Sequence, residues 1–129
     1  MLVTPQADGY SIGSVLLVED EVMVSVMIEN FLLDLGASEV IPCGSPAEAM
    51  DMIRNKRVTC AILDAKIGEG DSFDLADELE RRSVPFFFAT AAGPDVIAER
   101  HRHRPILAKP FSNAQLLEFL HAAMLDREE

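Results

Sequence analysis

Ser14-Val15-Leu16-Leu17-Val18-Glu19-Asp20-Glu21 decides the fold: an uncharged, apolar run stops abruptly at three carboxylates. Apolar residues without alternation are what a strand buried on both faces requires, because each face meets a packed layer. The pattern recurs. Thr59-Cys60-Ala61-Ile62-Leu63 stops at Asp64, Val84-Pro85-Phe86-Phe87-Phe88-Ala89 at Thr90, and Pro105-Ile106-Leu107-Ala108 at Lys109, while Glu39-Val40-Ile41 makes a shorter second strand. Helical signals fill the gaps. Val24, Met27 with Ile28, Phe31 and Leu35 recur at helical spacing up to Gly36, a C-cap residue. Ser45-Pro46-Ala47-Glu48 joins an N-cap, a proline at the first helical position and a Glu three residues on, opening a helix with Pro46, Ala49, Met50 and Ile53 on its apolar face. Ser72 is placed to cap a helix that turns Leu75, Ala76 and Leu79 inward. Ser112-Asn113-Ala114-Gln115 is a second capping box, ahead of Leu116, Leu117, Leu120 and Met124. A short helix is expected from Pro94 to about Arg102. Met23, Met27 and Met50 are expected in the core.

Five strands alternating with five helices require parallel, right-handed crossovers. The expected architecture is α/β, a flavodoxin-like three-layer α/β/α sandwich around a five-stranded parallel sheet of order 2-1-3-4-5. Sheets of this kind bind ligands outside the carboxyl ends of the strands where the order switches, here beside strands one and three. Glu19 and Asp20 follow strand one, Asp64 strand three, Thr90 strand four and Lys109 strand five, so one sheet edge is expected to gather all five. Clustered carboxylates call for a cation, and oxygen-only ligands favour Mg²⁺. Lys109 supplies a point charge for a phosphoryl oxygen and Thr90 a hydroxyl donor, a set suited to phosphoryl transfer onto Asp64.

Composition limits the alternatives. The 129 residues carry 11 Lys and Arg against 22 Asp and Glu, a formal net charge of −11, and 49% are hydrophobic. One core fits that length, disorder is excluded as a global description, and the acidity opposes binding to a nucleic acid backbone. No uncharged stretch reaches membrane-spanning length, and the first residues lack the basic and apolar regions of a secretory signal, so no membrane partner and a cytoplasmic location are expected. Cys43, near the top of an edge strand, and Cys60, near the bottom of a central one, are expected to be separated thiols rather than a disulfide. Arg100-His101-Arg102-His103-Arg104 is the one basic cluster, read either as a solvated helix end or as a docking patch for an acidic partner. Its arginines oppose a metal site on the two histidines.

In four pieces taken in order, Val15-Leu16-Leu17-Val18-Glu19-Asp20-Glu21, Ala61-Ile62-Leu63-Asp64, Phe88-Ala89-Thr90-Ala91 and Lys109-Pro110-Phe111, the chain resembles the receiver domain of two-component response regulators. The resemblance spans residues 14–126, which leaves 1–13 as an N-terminal extension and 127–129 as a tail. It implies that Asp64 takes a phosphoryl group from a phosphohistidine on a sensor histidine kinase or histidine phosphotransfer protein. It also implies that Glu19, Asp20, Asp64 and the backbone carbonyl of Lys66 hold Mg²⁺, that Thr90 and Lys109 contact the phosphoryl group, and that the Lys109–Pro110 peptide is cis. Such a domain is a phosphoacceptor that assists its own phosphorylation and dephosphorylation, not a conventional enzyme. A stand-alone receiver is expected, with output through a downstream protein, and Pro85-Phe86-Phe87-Phe88-Ala89-Thr90 is similar to the strand of single-domain receivers named for a Phe-Ala-Thr-Gly motif.

The chain also departs from the family pattern. Glu19 stands where Asp is commoner, Ala91-Ala92 breaks the motif, and Ile106 occupies the position of a Tyr or Phe that turns inward when the switch hydroxyl engages phosphate. The stretch from Thr90 to Lys109 is short for the usual fourth helix. The Ile106 and short-helix departures support one alternative, a degenerate receiver acting as a phosphorylation-independent interaction module. A phosphohydrolase on a similar fold would carry a second acid two residues after the nucleophile, where this chain has Lys66.

Overall fold

The computed structural model describes residues 12–127. Most of the extension expected over 1–13, through residue 11, lies outside the described residues, as do the last two residues of the expected tail. The chain runs β1 (Gly13–Val18), α1 (Val22–Asp34), β2 (Ala37–Cys43), α2 (Pro46–Asn55), β3 (Cys60–Leu63), β4 (Lys66–Ile67), β5 (Gly70–Asp71), α3 (Phe73–Arg81), β6 (Phe86–Thr90), β7 (Ile106–Ala108) and α4 (Asn113–Arg127). Five strands form a parallel sheet of order β2-β1-β3-β6-β7. The antiparallel β4–β5 pair stands apart as a small hairpin, so the main sheet has the 2-1-3-4-5 order expected from the sequence.

Successive strand residues face opposite layers. Leu16, Val18, Ala61, Leu63, Phe86 and Phe88 pack with Ala49 and Ile53 of α2 and Leu75, Ala76 and Leu79 of α3. The intervening Val15, Leu17, Cys60, Ile62, Phe87 and Ala89 pack with Ile28 and Leu32 of α1 and Leu116 and Leu120 of α4 on the other face. Pro42 sits opposite Leu17 in β2. It is tolerated because β2 is an edge strand with a free side for a residue that lacks an N–H.

The caps behave as the sequence signals. Ser45 Oγ accepts from the Glu48 amide at 3.2 Å, and Glu48 Oε1 accepts from the Gly44 amide at 3.0 Å. At the start of α4, the Gln115 amide donates to Ser112 Oγ and the Ser112 amide to Gln115 Oε1. Ser72 differs. The amide of Phe73 is accepted by Asp71 Oδ1 at 3.1 Å, and the Ser72 hydroxyl is turned to another task described below.

Three further expectations are corrected. No α-helix spans Pro94 to Arg102: 3₁₀ turns at Pro94–Val96 and Glu99–His101 are separated by Ile97 and Ala98 in extended conformation. Met23 and Met27 are 84% and 46% exposed, and of the three expected methionines only Met50 is packed against the core. Helix α1 is apolar on nearly every side, so its sequence does not designate a buried face. It settles with Ser25, Ile28 and Leu32 inward, and Met27 is turned about 100° from Ile28. The basic cluster is not a solvated helix end: only 3₁₀ turns precede it, His101 is fully buried, and Arg100 and Arg104 pair with Asp77 and Glu80.

Cys43 ends β2 and Cys60 begins β3, and both are buried thiols. Burial, with Glu48 nearby, pushes the Cys43 thiol up to about 11, which leaves it a poor nucleophile at neutral pH. The capping bonds of α2 carry a direct test. Ser45→Ala should lower unfolding stability by about 1 kcal/mol, seen as a lower urea midpoint with unchanged slope. An unchanged midpoint would mean that the cap contributes nothing.

Candidate functional site

Parallel pairing sets neighbouring strand ends level, and this brings together residues 45 and 90 positions apart in the chain. Val18 pairs with Leu63, and Thr90 with Ala108. Main-chain bonds extend the ladder just past the strands: the amide of Glu19 donates to the Cys43 carbonyl, that of Asp64 to Val18 and that of Lys109 to Thr90, at 3.0, 3.0 and 3.1 Å. Glu19, Asp64 and Lys109 therefore leave the sheet at one edge. The Lys109–Pro110 peptide is cis, as the resemblance implies.

Lys109 Nζ donates to Glu19 Oε1 and, at 3.0 Å, to Asp64 Oδ2. The side chains of Glu19, Asp64 and Lys109 are only 2%, 13% and 14% exposed. Asp20 is exposed, and ligand oxygens from Glu19, Asp20 and Asp64 all lie within 4.8 Å of one another. Burial raises the Glu19 carboxyl above its ordinary range, against the pull of the Lys109 bond and the Glu21 amide. For Lys109 burial disfavours the ammonium, but the hydrogen bonds to Glu19 and Asp64 outweigh it and the pKa is raised. The two shifts share a direction for different reasons: burial wins at Glu19, and the partners win at Lys109.

Thr90 is buried at the end of β6, and its Oγ1 accepts from the Ala92 amide at 3.2 Å. Lys66 opens the hairpin and its amide donates to Asp64 Oδ1 at 3.3 Å. Ile106 starts β7 opposite Phe88 and packs half-buried against the core, so no aromatic ring occupies that position.

Two contributors escaped the sequence reading. Ser72, fully buried, donates its hydroxyl to the Asp64 carbonyl at 2.8 Å, while its amide donates to the Ala65 carbonyl at 3.1 Å. Gly68, at the hairpin tip, donates its amide to Asp20 Oδ2 at 2.9 Å. Its φ of +58° is the backbone region that favours glycine. The loop from Ala65 to Ser72 thus holds Asp64 at its base and Asp20 at its tip. The Gly68-Glu69-Gly70 turn composition was the available signal for the hairpin, and nothing in the sequence announced its reach to Asp20.

Three carboxylates against one ammonium leave two negative charges uncompensated. An all-oxygen donor set with one exposed member fits a hard divalent ion that keeps several waters, as Mg²⁺ does. Such an ion would be held by Glu19, Asp20 and Asp64, and it would supply the positive charge that Lys109 alone leaves short.

The response regulator receiver domain family model matches residues 15–121. The chain belongs to the response regulator receiver domain family. Receiver domains are signalling domains of two-component systems rather than conventional enzymes. The chain is 28% identical over 125 residues to the transcriptional regulatory protein PdtaR of Mycobacterium tuberculosis, a match covering 94% of this chain and 61% of the relative. It is 29% identical over 84 residues to the transcriptional regulatory protein YvrH of Bacillus subtilis, covering 64% of this chain and 35% of that one. The receiver therefore spans less than two thirds of these relatives. Among solved structures, SdrG from Sphingomonas melonis Fr1 superposes with a TM-score of 0.73 at 34% identity, covering 88% of this chain and 96% of SdrG. A CheY-like receiver domain from Methanospirillum hungatei, 19% identical with a TM-score of 0.75 over 92% of this chain and 98% of that one, shares the fold. Among the described residues no helix is long and apolar enough to cross a membrane.

The electrostatics of the receiver site can be tested by removing its cation. Lys109→Met leaves Glu19 and Asp64 facing each other in a largely buried site and should cost about 2–3 kcal/mol of stability. Millimolar Mg²⁺ should restore part of that loss, measured as the melting temperature of the variant with and without the ion. A melting temperature that ignores Mg²⁺ contradicts the assignment of these carboxylates to a cation.

Proposed function

We propose that Asp64 is a phosphoacceptor, charged in a Mg²⁺-dependent step by a phosphohistidine on a sensor histidine kinase or histidine phosphotransfer protein in the cytoplasm. The observation that carries this reading is the Lys109 ammonium shared between Glu19 and Asp64, with Asp20 in the same cluster. An Asp64 carboxylate oxygen attacks phosphorus, the O–P bond forms, the N–P bond of the donor breaks, and the leaving imidazole retains the bonding pair and takes up a proton. Lys109 moves from neutralising the carboxylate to neutralising the phosphoryl oxygens, a point charge suited to both. Thr90 offers a hydroxyl donor at the same sheet edge. Glu19, Asp20, Asp64 and the Lys66 carbonyl would hold the ion. Water later hydrolyses the acyl phosphate, which returns the carboxylate and releases inorganic phosphate.

The phosphorylated receiver acts through protein–protein contact by favouring one of two conformers. A relative at 32% identity, SdrG, has been solved in a BeF₃-activated conformation, and this supports a phosphoryl-dependent reading for a chain so similar. The half-buried Ile106, with 3₁₀ turns in place of a helix before it, favours a second reading, an interaction module that works without phosphorylation.

Incubation with Mg²⁺ and acetyl phosphate separates the two. The wild-type protein should acquire hydroxylamine-labile phosphate, Asp64→Ala should acquire none, and EDTA should abolish labelling. Thr90→Ala should still label, because the nucleophile and the ion ligands remain. Equal labelling of wild type and Asp64→Ala, or none in either, selects the second reading.

A further inference from the structure

Residues 94–104 hold a structure that the receiver site does not account for. His101 has no exposed surface, and its ring lies among Phe73, Phe86 and Phe88, with centroids 6.2, 6.1 and 6.2 Å away. Its Nε2 is 2.8 Å from Asp77 Oδ1. Its Nδ1 is buried without a hydrogen-bond partner, and the nearest carboxylate oxygen in an ion pair with it, Glu80 Oε2, is 3.5 Å away. The same two α3 carboxylates take the flanking basic residues. Arg100 donates twice to Asp77, at 2.8 and 3.0 Å, and Arg104 donates to Glu80 at 3.2 Å while its guanidinium lies 4.3 Å from the Phe86 ring centre. His103 approaches Glu80 at 3.4 Å.

These contacts, with Ile97 buried in the core and Val96 packed against it, fasten a segment that has no strand or α-helix of its own. Its backbone bonds are short-range: Ile97 to Pro94, His101 to Ala98, Arg102 to Glu99 and Arg104 to His101. Segments with few regular backbone bonds open more readily than strands, and a buried ring nitrogen without a hydrogen bond is relieved by opening. The cage that receives His101 also touches both supports of the site. Phe73 follows Ser72, which holds the Asp64 carbonyl, and Phe88 lies two residues before Thr90 on β6.

We propose that residues 94–104 form a clasp, pinned to α3 by His101 with Asp77 and Glu80, that opens as one cooperative unit and provides the second conformer selected when Asp64 is phosphorylated. The last part rests on the proposed function; the clasp itself does not. His101 is a positioning residue: it touches α3 and the three phenylalanines, not Asp64. Opening frees the basic residues and uncovers the Phe73–Phe86–Phe88 surface, so one movement changes both charge and apolar exposure next to Thr90.

Native-state hydrogen exchange tests the clasp on the unmodified protein. The amides of Ile97, His101, Arg102 and Arg104 should exchange with one shared opening free energy and denaturant slope, both smaller than those of β1 and β3. Asp77→Ala, at an exposed helix position where alanine is well tolerated, should speed those amides about tenfold and leave β1 and β3 unchanged. Exchange of the segment only with the strands, unrelated rates among its amides, or no response to Asp77→Ala overturns the clasp. Adding beryllofluoride with Mg²⁺ should further speed the segment in the wild type. Complex formation at Asp64 with no change in the segment overturns the coupling and leaves the phosphoacceptor reading intact. No complex at Asp64 removes that reading, and the coupling with it, while the exchange data still decide the clasp.

Discussion

One ammonium group between two largely buried carboxylates is the interaction on which the site depends. Lys109 reaches Glu19 and Asp64 from a strand end far away in the chain. Charges so placed persist only when they are paired, because an unpaired one would carry a desolvation cost that marginal stability cannot absorb. The order of the sheet, set by strands apolar on both faces, is what levels the three strand ends and makes the pairing possible. The excess negative charge that remains is the chemical opening for a divalent ion.

The neighbouring loop makes the arrangement stiff. Ser72 and Gly68 tie Asp64 and Asp20 to a single short hairpin, so two potential ion ligands on different strands share one support. On the far side of β3, Thr90 is held through β6, whose Phe86 and Phe88 also wall the pocket of His101. Site and clasp are therefore built on the same two elements, which gives a physical route between them without requiring any long-range field.

Much of this was legible beforehand. Val15–Val18, Cys60–Leu63 and Phe86–Ala89 are apolar on both faces, so their burial and parallel pairing follow from pattern, and the polar residues that end them are then forced to one edge. Capping signals at Ser45 and Ser112 placed two helices because each side chain has one local task. Where a residue's role depends on a distant partner, local pattern failed. The helix start at Ser72 was anticipated, but the hydroxyl serves Asp64 and Asp71 accepts the Phe73 amide instead. Met23 and Met27 were misplaced because α1 is apolar all round. Residues 94–104 were misread most, since their basic side chains find acids on α3, and His101 is drawn inward by three phenylalanines no local window connects to it.

The central claim is that Glu19, Asp20 and Asp64 form one cation site in a protein whose acidity offers many weak alternatives. Paramagnetic Mn²⁺, substituted for Mg²⁺ at substoichiometric amounts, reports this directly through broadening of backbone amide resonances. The account predicts broadening centred on Asp20, Asp64, Lys66 and Gly68, reversed by excess Mg²⁺ and abolished in Asp20→Asn. Broadening centred on the acidic face of α3, or spread evenly over the surface, would contradict it.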